Sequence, residues 1–251
     1  MSTAPDPTGD DAWAPLRAYT PARIGLGAAG VSEPIRSVLR FRADHALARD
    51  AVHVPLAVEP VAAGLERLGL GPVHHVASRA RDRGEYLRRP DLGRVPADVS
   101  TLPDTGADIG IVVADGLSAQ AVTRHAVPLV TALLAAFDGR YRIAPAVVAT
   151  QARVAIGDHI GRALGVSTVL VLIGERPGLS VSDSLGIYLT HRPAPGRTDA
   201  DRNCISNIHG TGLGYAEAAA VCAALVDGAR RLGRSGVELK DTSRGGMLEA
   251  G

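Results

Sequence analysis

Three short apolar runs, separated by segments with helical periodicity, constrain the fold of this chain most strongly. The runs are 109–114 (IGIVVA), 146–150 (AVVAT) and 169–173 (VLVLI), and they look like strands that are buried on both faces of a sheet. Between them lie helical segments, 119–137 after the capping residue Ser118 and 154–164. This β-α-β-α-β order predicts an α/β fold with a Rossmann-like parallel sheet and flanking helices.

The flanking sequence extends this pattern. A fourth strand is predicted at 185–190 and an amphipathic helix at 216–232, with the irregular segment 192–214 between them. In the other direction, a helix is predicted at 33–53 because Pro34 suits its first turn.

We therefore expect three parts in the chain. Residues 1–22 carry four prolines and form a flexible leader, residues 23–105 form a smaller, mainly helical N-terminal region, and residues 106–251 form the Rossmann-like domain.

Charge and composition exclude several classes of function. The 27 basic and 26 acidic residues nearly cancel, and aromatic residues make up only 3% of the chain, so neither nucleic acid nor an anionic membrane is an expected partner. Two cysteines, Cys204 and Cys222, are too few for a disulfide framework or a cysteine-rich zinc site. No run of about 18 apolar residues and no signal peptide is present, so we expect a cytoplasmic protein without a membrane partner.

The predicted parallel sheet also indicates where a ligand binds. In such folds ligands lie beyond the carboxyl ends of the strands, which here lead into 115–116, 150–154 and 174–178. Glu175 lies directly at this edge and either binds a ligand or forms an ion pair with Arg176. Cys222 is expected in the core, whereas Cys204 lies in RNCISN, where a functional role stays open.

Two glycine-containing strings resemble known motifs but lack part of them. Residues 25–30 match G-x-G-x-x-G, yet the preceding TPARI is too polar and too short for the strand that a dinucleotide site requires, which favours turn glycines. Residues 207–212 differ by one residue from the Asp-x-His-x-x-Gly pattern of proteins that ligate cobalamin through histidine. Asn207 lacks the charge for that role, so His209 is expected to face solvent from a loop. Surface or capping roles are likewise expected for Asp158 and His159.

Four further blocks carry a family resemblance: VVADGLSAQAVTRHAVPLV (112–130), VATQARVAIGDHIGRALG (148–165), LIGERPGLSVSDSLGIYL (172–189) and GRTDADRNCISNIHGTGL (196–213). With RIGLGAAGVSEPIRSVLRFRADHALARDAV near the N-terminus, they resemble the small (light) subunit of ethanolamine ammonia-lyase from about Arg23 onward. One departure is His159, where an acidic residue is expected.

The resemblance implies an ammonia-lyase, a carbon–nitrogen lyase that converts ethanolamine to acetaldehyde and ammonia by radical chemistry of adenosylcobalamin. It implies a hetero-oligomer in which the large subunit holds the substrate, so this chain is not active alone and supplies no catalytic residue or metal ligand. The resemblance also implies that cobalamin lies between the two chains and keeps its own benzimidazole on cobalt. It places the enzyme in the cytosol, or within it in a bacterial microcompartment.

The family's cobalamin-binding positions match Val154, Glu175 and Cys204. Two of these three residues, Val154 and Glu175, follow ends of predicted strands, where the sheet alone already predicts a ligand. The competing hypotheses are a stand-alone Rossmann-type enzyme that uses a nicotinamide cofactor at 25–30 and a cobalamin carrier without catalysis.

Overall fold

The apolar runs form the centre of a six-stranded sheet in the computed structural model, which describes residues 13–20, 22–28 and 31–241. The sheet has the order β1-β3-β2-β4-β5-β6. Its strands are β1 (His74–Ala77), β2 (Ile109–Ala114), β3 (Val147–Thr150), β4 (Thr168–Gly174), β5 (Leu185–His191) and β6 (Asn203–Ile208).

Seven α-helices lie in the described residues. They are α1 (Ala14–Arg17), α2 (Ile35–Ala51), α3 (Val58–Glu66), α4 (Arg83–Arg88), α5 (Ala119–Phe137), α6 (Ile156–Ala163) and α7 (Tyr215–Leu232). Two 3₁₀ turns are found at Leu92–Arg94 and Asp199–Asp201. Most of the expected leader lies outside the described residues, and its described part contains α1.

The prediction of an α/β fold with flanking helices is confirmed, but the prediction of a parallel sheet is wrong for two strands. Strands β1 to β4 run parallel, whereas β5 is antiparallel to β4 and β6 is antiparallel to β5. The reason is the linker 175–184, which is too short for the helical crossover that a parallel connection needs. The segment predicted as irregular contains β6, and β1 lies in the region predicted as mainly helical.

The core has two layers, one on each face of the sheet. Helices α3, α5 and α7 cover one face, where they pack on residues such as Ile111 of β2 and Leu172 of β4. Helix α6 covers the other face over β2 and β4, where Val112 and Val171 pack. This alternation along each strand buries the central strands completely.

Helix α5 begins as the sequence predicts, because the Ser118 side chain accepts a hydrogen bond from the Ala121 N–H. Among the described residues it is the one helix long and apolar enough to cross a membrane by length and composition. Its apolar side packs between α3, α7 and the sheet, as expected for a core helix.

A buried ion pair joins α6 to the start of β6. The guanidinium of Arg202 donates two parallel hydrogen bonds of 2.7 Å to Asp158, and both side chains are 2% exposed. Arg202 also donates to Thr190 Oγ1 on β5 at 2.9 Å. The expectation of a surface or capping role for Asp158 is therefore wrong, because its position on the inner side of α6 brings it under Arg202.

We predict that Asp158→Asn lowers the free energy of unfolding of the chain by roughly 3–5 kcal/mol, because it leaves the buried Arg202 charge without its counter-ion. Urea denaturation followed by circular dichroism measures this change. The double variant Asp158→Leu/Arg202→Met should be more stable than the Asp158→Asn single variant, since no buried charge remains unpaired.

The matched control is Arg89→Met, which breaks the exposed pair between Arg89 and Asp91 and should leave the denaturation midpoint nearly unchanged. Equal losses for Arg89→Met and Asp158→Asn would contradict the structural importance of the buried pair.

Candidate functional site

The loops after β2 and β3 are tied together by a buried carboxylate at the carboxyl edge of the sheet. Asp115 accepts hydrogen bonds from the N–H groups of Gln151 and Ala152 at 2.8 and 2.9 Å, and from Arg83 Nη1 at 3.0 Å. Burial raises the pKa of Asp115 although these donors oppose the shift. Asp115 therefore positions the segment that leads to Val154.

The crevice between these two loops is filled by Tyr86 of α4. Its hydroxyl donates to the carbonyl oxygens of Gly116 and Ala152 at 2.9 and 3.1 Å, and its ring lies between the guanidinium groups of Arg83 and Arg153. The side chain is completely buried. The part of the predicted edge nearest β2 and β3 is thus closed by the protein itself.

The loops after β2 and β4 also meet at this edge. The Leu117 N–H donates to the Gly174 carbonyl oxygen at 2.9 Å. A Cβ atom at Gly116 would collide with that same oxygen, and one at Gly174 would collide with the Ser118 carbonyl oxygen. Glycine at both positions lets the two loops approach closely and fixes where Glu175 begins.

Glu175 is half-buried and lies directly after β4. Its carboxylate accepts hydrogen bonds from Ser184 Oγ at 2.7 Å and from the Asn207 N–H at 3.3 Å, and its own N–H donates to the Ser184 carbonyl oxygen. An ion pair with Arg176 is absent from the described residues, so that alternative interpretation is wrong. Glu175 instead joins the linker 175–184 to the end of β6.

Cys204 and Tyr188 face each other across β5 and β6, beside Glu175. The strand register places Cys204 opposite Tyr188, so the thiol and the phenol lie next to each other on one face of the sheet. Partial desolvation of the thiol raises the pKa of Cys204, the neighbouring Tyr188 hydroxyl opposes this shift, and the negative charge of Glu175 adds to it. Burial likewise raises the pKa of Tyr188.

These residues lie on a face of the sheet that no described helix covers. Helix α7 packs on the opposite face of β5 and β6, and α6 extends only over β2 and β4. Tyr188 is half-buried and Cys204 is exposed, while Gly186 is buried between Glu175 and Tyr188. A Cβ atom at Gly186 would lie 3.0 Å from Glu175 Oε1 and 3.5 Å from the Tyr188 ring. We call this surface, formed by Glu175, Gly186, Tyr188 and Cys204, the open face.

Val154 lies on the same side of the sheet but does not touch the other two predicted residues. It is partly buried just before α6, where it packs on the same core cluster as Tyr188. In the loop before Val154, the side-chain atoms Gln151 Oε1 and Arg153 Nε are buried without a hydrogen-bond partner. Gln151 also has a positive φ of 52°, which is unusual outside glycine.

The structure thus places Glu175 and Cys204 on the same face of the sheet, both next to Tyr188, and Val154 at the carboxyl edge of the sheet. Sequence reasoning missed Tyr188, Gly186 and Ser184. Tyr188 is a polar-tipped residue within the apolar stretch 185–189 of β5, which is the signal that the sequence offers for it.

The other motifs of the sequence analysis have structural roles. His209 is buried rather than facing solvent, because the turn at Gly212 folds over its ring and its Nε2 atom is 2.9 Å from Asn207 Oδ1. Cys222 is completely buried, as predicted. The described residues 13–20 and 22–28 form α1 and coil rather than the strand that a dinucleotide fingerprint requires, and a Cβ atom at Gly25 would collide with Trp13.

Comparison with known proteins gives a consistent result along the chain. The family model described as "Ethanolamine ammonia-lyase light chain (EutC)" matches residues 10–240. A relative from Rhodococcus erythropolis, named ethanolamine ammonia-lyase small subunit, is 59% identical over 242 residues, which cover 96% of this chain and 94% of the relative.

Relatives of the same name occur in other bacteria. One from Xanthomonas campestris pv. campestris (strain B100) is 51% identical, with 96% of this chain and 91% of the relative covered. One from Bradyrhizobium diazoefficiens is 51% identical, with coverages of 91% and 90%. The family match and these nearly full-length identities show that the chain belongs to the ethanolamine ammonia-lyase light-chain family.

Proposed function

We propose that this chain is the small subunit of an adenosylcobalamin-dependent lyase that converts ethanolamine to acetaldehyde and ammonia. In this proposal the corrin ring lies on the open face and is enclosed by the large subunit from the other side. The observation that carries the proposal is the position of Glu175 and Cys204, both next to Tyr188 on a sheet surface without a covering helix. The family match independently supports the reaction.

The residues of the open face suit a flat, amide-bearing ring. Gly186 is buried beside the Glu175 carboxylate and the Tyr188 ring, so these two groups and Cys204 form the surface that a planar group would meet. The Oε2 atom of Glu175 already accepts from Ser184 and Asn207, which leaves Oε1 with capacity for a further donor. Corrin amide N–H groups are donors of the matching kind, and a charged acceptor strengthens such bonds.

Val154 and its preceding loop fit the rim of the same ligand. Val154 offers an apolar contact, and the unpartnered Gln151 Oε1 and Arg153 Nε atoms lie in the adjoining loop. Buried polar atoms without partners are rare in folded proteins, and they fit a loop that completes its contacts when a ligand or a second chain is bound.

When bound, adenosylcobalamin supplies the radical chemistry, and the protein binds and orients it. Glu175 holds the corrin through hydrogen bonds, Val154 and Cys204 pack on it, and Tyr188 supports Cys204 from β5. No residue of this chain is assigned acid–base work on ethanolamine.

Helix α2 supports the proposed contact with a large subunit. None of its residues is buried, and large apolar side chains such as Ile35, Leu39 and Leu47 are more than half exposed. Ile35 and Leu39 are four residues apart and lie on the same side of the helix, and Leu47 lies about 80° further round the helix axis than Leu39. Exposed apolar rows of this kind mark contacts between chains, and the name "small subunit" of the relatives implies a larger partner.

The direct test of this function is reconstitution. Mixing the chain with its cognate large subunit, adenosylcobalamin and ethanolamine should yield acetaldehyde only when both chains are present. A chain that merely carries cobalamin would leave turnover by the large subunit unchanged. Saturable nicotinamide binding that Gly27→Val abolishes would favour the stand-alone enzyme instead.

Within the reconstituted complex, Glu175→Ala should weaken cobalamin binding by about 1–3 kcal/mol, because corrin donors lose their charged acceptor. Spectrophotometric titration of the complex with cobalamin measures this loss. Glu59→Ala is the matched control, since it removes an exposed carboxylate in the first turn of α3, outside the open face, and its cobalamin affinity should stay near wild type. Unchanged affinity in Glu175→Ala would exclude the assigned contact.

The pKa of Cys204 gives a separate prediction. Because desolvation and Glu175 raise this pKa, the thiolate forms at higher pH than in a free cysteine, whose pKa is about 8.5. The rate at which iodoacetamide alkylates Cys204 in the cobalamin-free chain, followed by mass spectrometry, should therefore increase at a higher pH than the rate for free cysteine. Glu175→Gln should move the profile to lower pH.

Cys222 serves as the internal control, because burial raises its pKa to about 12 and it should not react in the folded chain. A Cys204 profile centred below pH 8 would contradict the desolvated position of the thiol.

The role of α2 is tested by Leu39→Asp/Leu47→Asp. This double variant should weaken association with the large subunit at least tenfold, since two apolar contacts would be replaced by buried charges. Analytical ultracentrifugation measures the association. Val237→Asp, a change at an exposed apolar residue outside α2, is the control and should bind as wild type. If Leu39→Asp/Leu47→Asp and Val237→Asp bind the large subunit equally well, α2 is excluded from the interface.

A further inference from the structure

A second concave surface lies at the other end of β4 from Glu175. It is a pocket of about 680 Å³, where β4 begins, β5 ends, and the C-terminal parts of α6 and α7 come together. Since β4 has seven residues at roughly 3.3 Å each, about 20 Å of strand separates this pocket from the open face. A ligand bound here would be distinct from the cobalamin of the proposed function.

The pocket is strongly cationic. Four guanidinium groups line it, together with the imidazole of His191, and they belong to Arg162, Arg192, Arg197 and Arg230. Arg230 forms an ion pair with Asp108 at 2.9 Å, and Arg197 lies 3.7 Å from Asp201. In the described part of the chain, the side chains of Arg162 and Arg192 have no carboxylate partner. Two positive charges are therefore left uncompensated around one concavity.

The backbone holds Arg192 at the pocket in an unusual conformation. Its φ is 52°, in the left-handed region that a residue with a side chain adopts only at an energetic cost. Its N–H donates to the Ser167 carbonyl oxygen at 2.7 Å, which fixes the turn after β5 against the start of β4. The fold thus keeps an uncompensated arginine at this place despite the strain.

His191 adds a group whose protonation would respond to a ligand. Its Nδ1 atom lies 2.8 Å from Thr168 Oγ1, and Nε2 has no partner among the described residues. Burial and the charges of Arg192, Arg230 and Arg197 lower the pKa of His191. The carboxylates near the pocket, Asp108 and Asp201, are engaged by arginines and do not reverse this effect.

We propose that this pocket binds a small polyanion that carries phosphate groups. Arginine is suited to phosphate because its planar group donates two parallel hydrogen bonds to the oxygens. The four guanidinium groups come from three segments (α6, the turn after β5, and α7) and line one compact volume, which suits a small molecule better than an extended acidic segment of a protein. The volume is in the range of pockets that hold small metabolites.

The test is calorimetric titration with pyrophosphate and with inorganic phosphate. It is carried out on the full chain and on its complex with the large subunit, at about 0.15 M ionic strength, where non-specific attraction is screened. Wild type should bind pyrophosphate saturably in both states. Arg162→Gln/Arg192→Gln should lose at least tenfold in affinity.

The matched control is Arg67→Gln/Arg94→Gln, which removes the same charge from exposed positions outside the pocket and should change affinity less than twofold. In a chain labelled with ¹³C-histidine, pyrophosphate should raise the pKa of His191, because bound negative charge stabilises the imidazolium. His191→Gln identifies the signal.

Several results would overturn the proposal. Absence of saturable binding, or equal losses in the two double variants, would show only general attraction to a basic surface. Binding that disappears in the complex would assign the pocket to the subunit interface. Tighter binding of citrate or of a poly-glutamate peptide than of pyrophosphate would show that carboxylates, not phosphates, are the ligands.

Discussion

The ion pair between Arg202 and Asp158 holds together the two parts of the proposed cofactor surface. Asp158 lies on α6, four residues after Val154, and Arg202 lies two residues before Cys204. Through Thr190, Arg202 also contacts β5, which carries Tyr188. Both side chains are buried and are joined by two parallel hydrogen bonds. Any separation of α6 from the β5–β6 edge would therefore leave a buried charge without its partner. The ion pair thus adds to the strand ladders and the packing of α6 that fix the relative positions of Val154 and Cys204.

The reversal of strand direction after β4 creates the surface on which the proposed function depends. A parallel β5 would have required a crossover helix, which would lie on one of the two faces. The short linker 175–184 instead returns the chain at once, so that α7 covers only one face of β5 and β6. The other face stays open beside Glu175, while the crevice between β2 and β3 is filled by Tyr86. We infer that the ligand surface of this chain is the open face and not the crevice between β2 and β3, where a wholly parallel sheet would bind a ligand.

Local patterns predicted the elements well, and long-range contacts explain what they missed. Strands β2 to β5, the Ser118 cap and the limits of α5 to within a residue follow from periodicity and capping chemistry. Strand β1 is short and polar, with two histidines, and it becomes a strand only because it pairs with β3. The buried partners of Asp158 and the open face could not be predicted, because each depends on which distant segments meet. Glu175 was predicted by its place at a strand end, whereas Cys204 required the family resemblance.

The central claim is that cobalamin lies on the open face, between this chain and the large subunit. A cryo-electron microscopy structure of the assembled complex with bound cobalamin tests it most directly. We predict corrin density against Val154, Glu175 and Cys204, with amide groups of the ring within hydrogen-bond distance of the Glu175 carboxylate. Density for the corrin elsewhere, with these three side chains exposed to solvent or covered only by protein, would contradict the account.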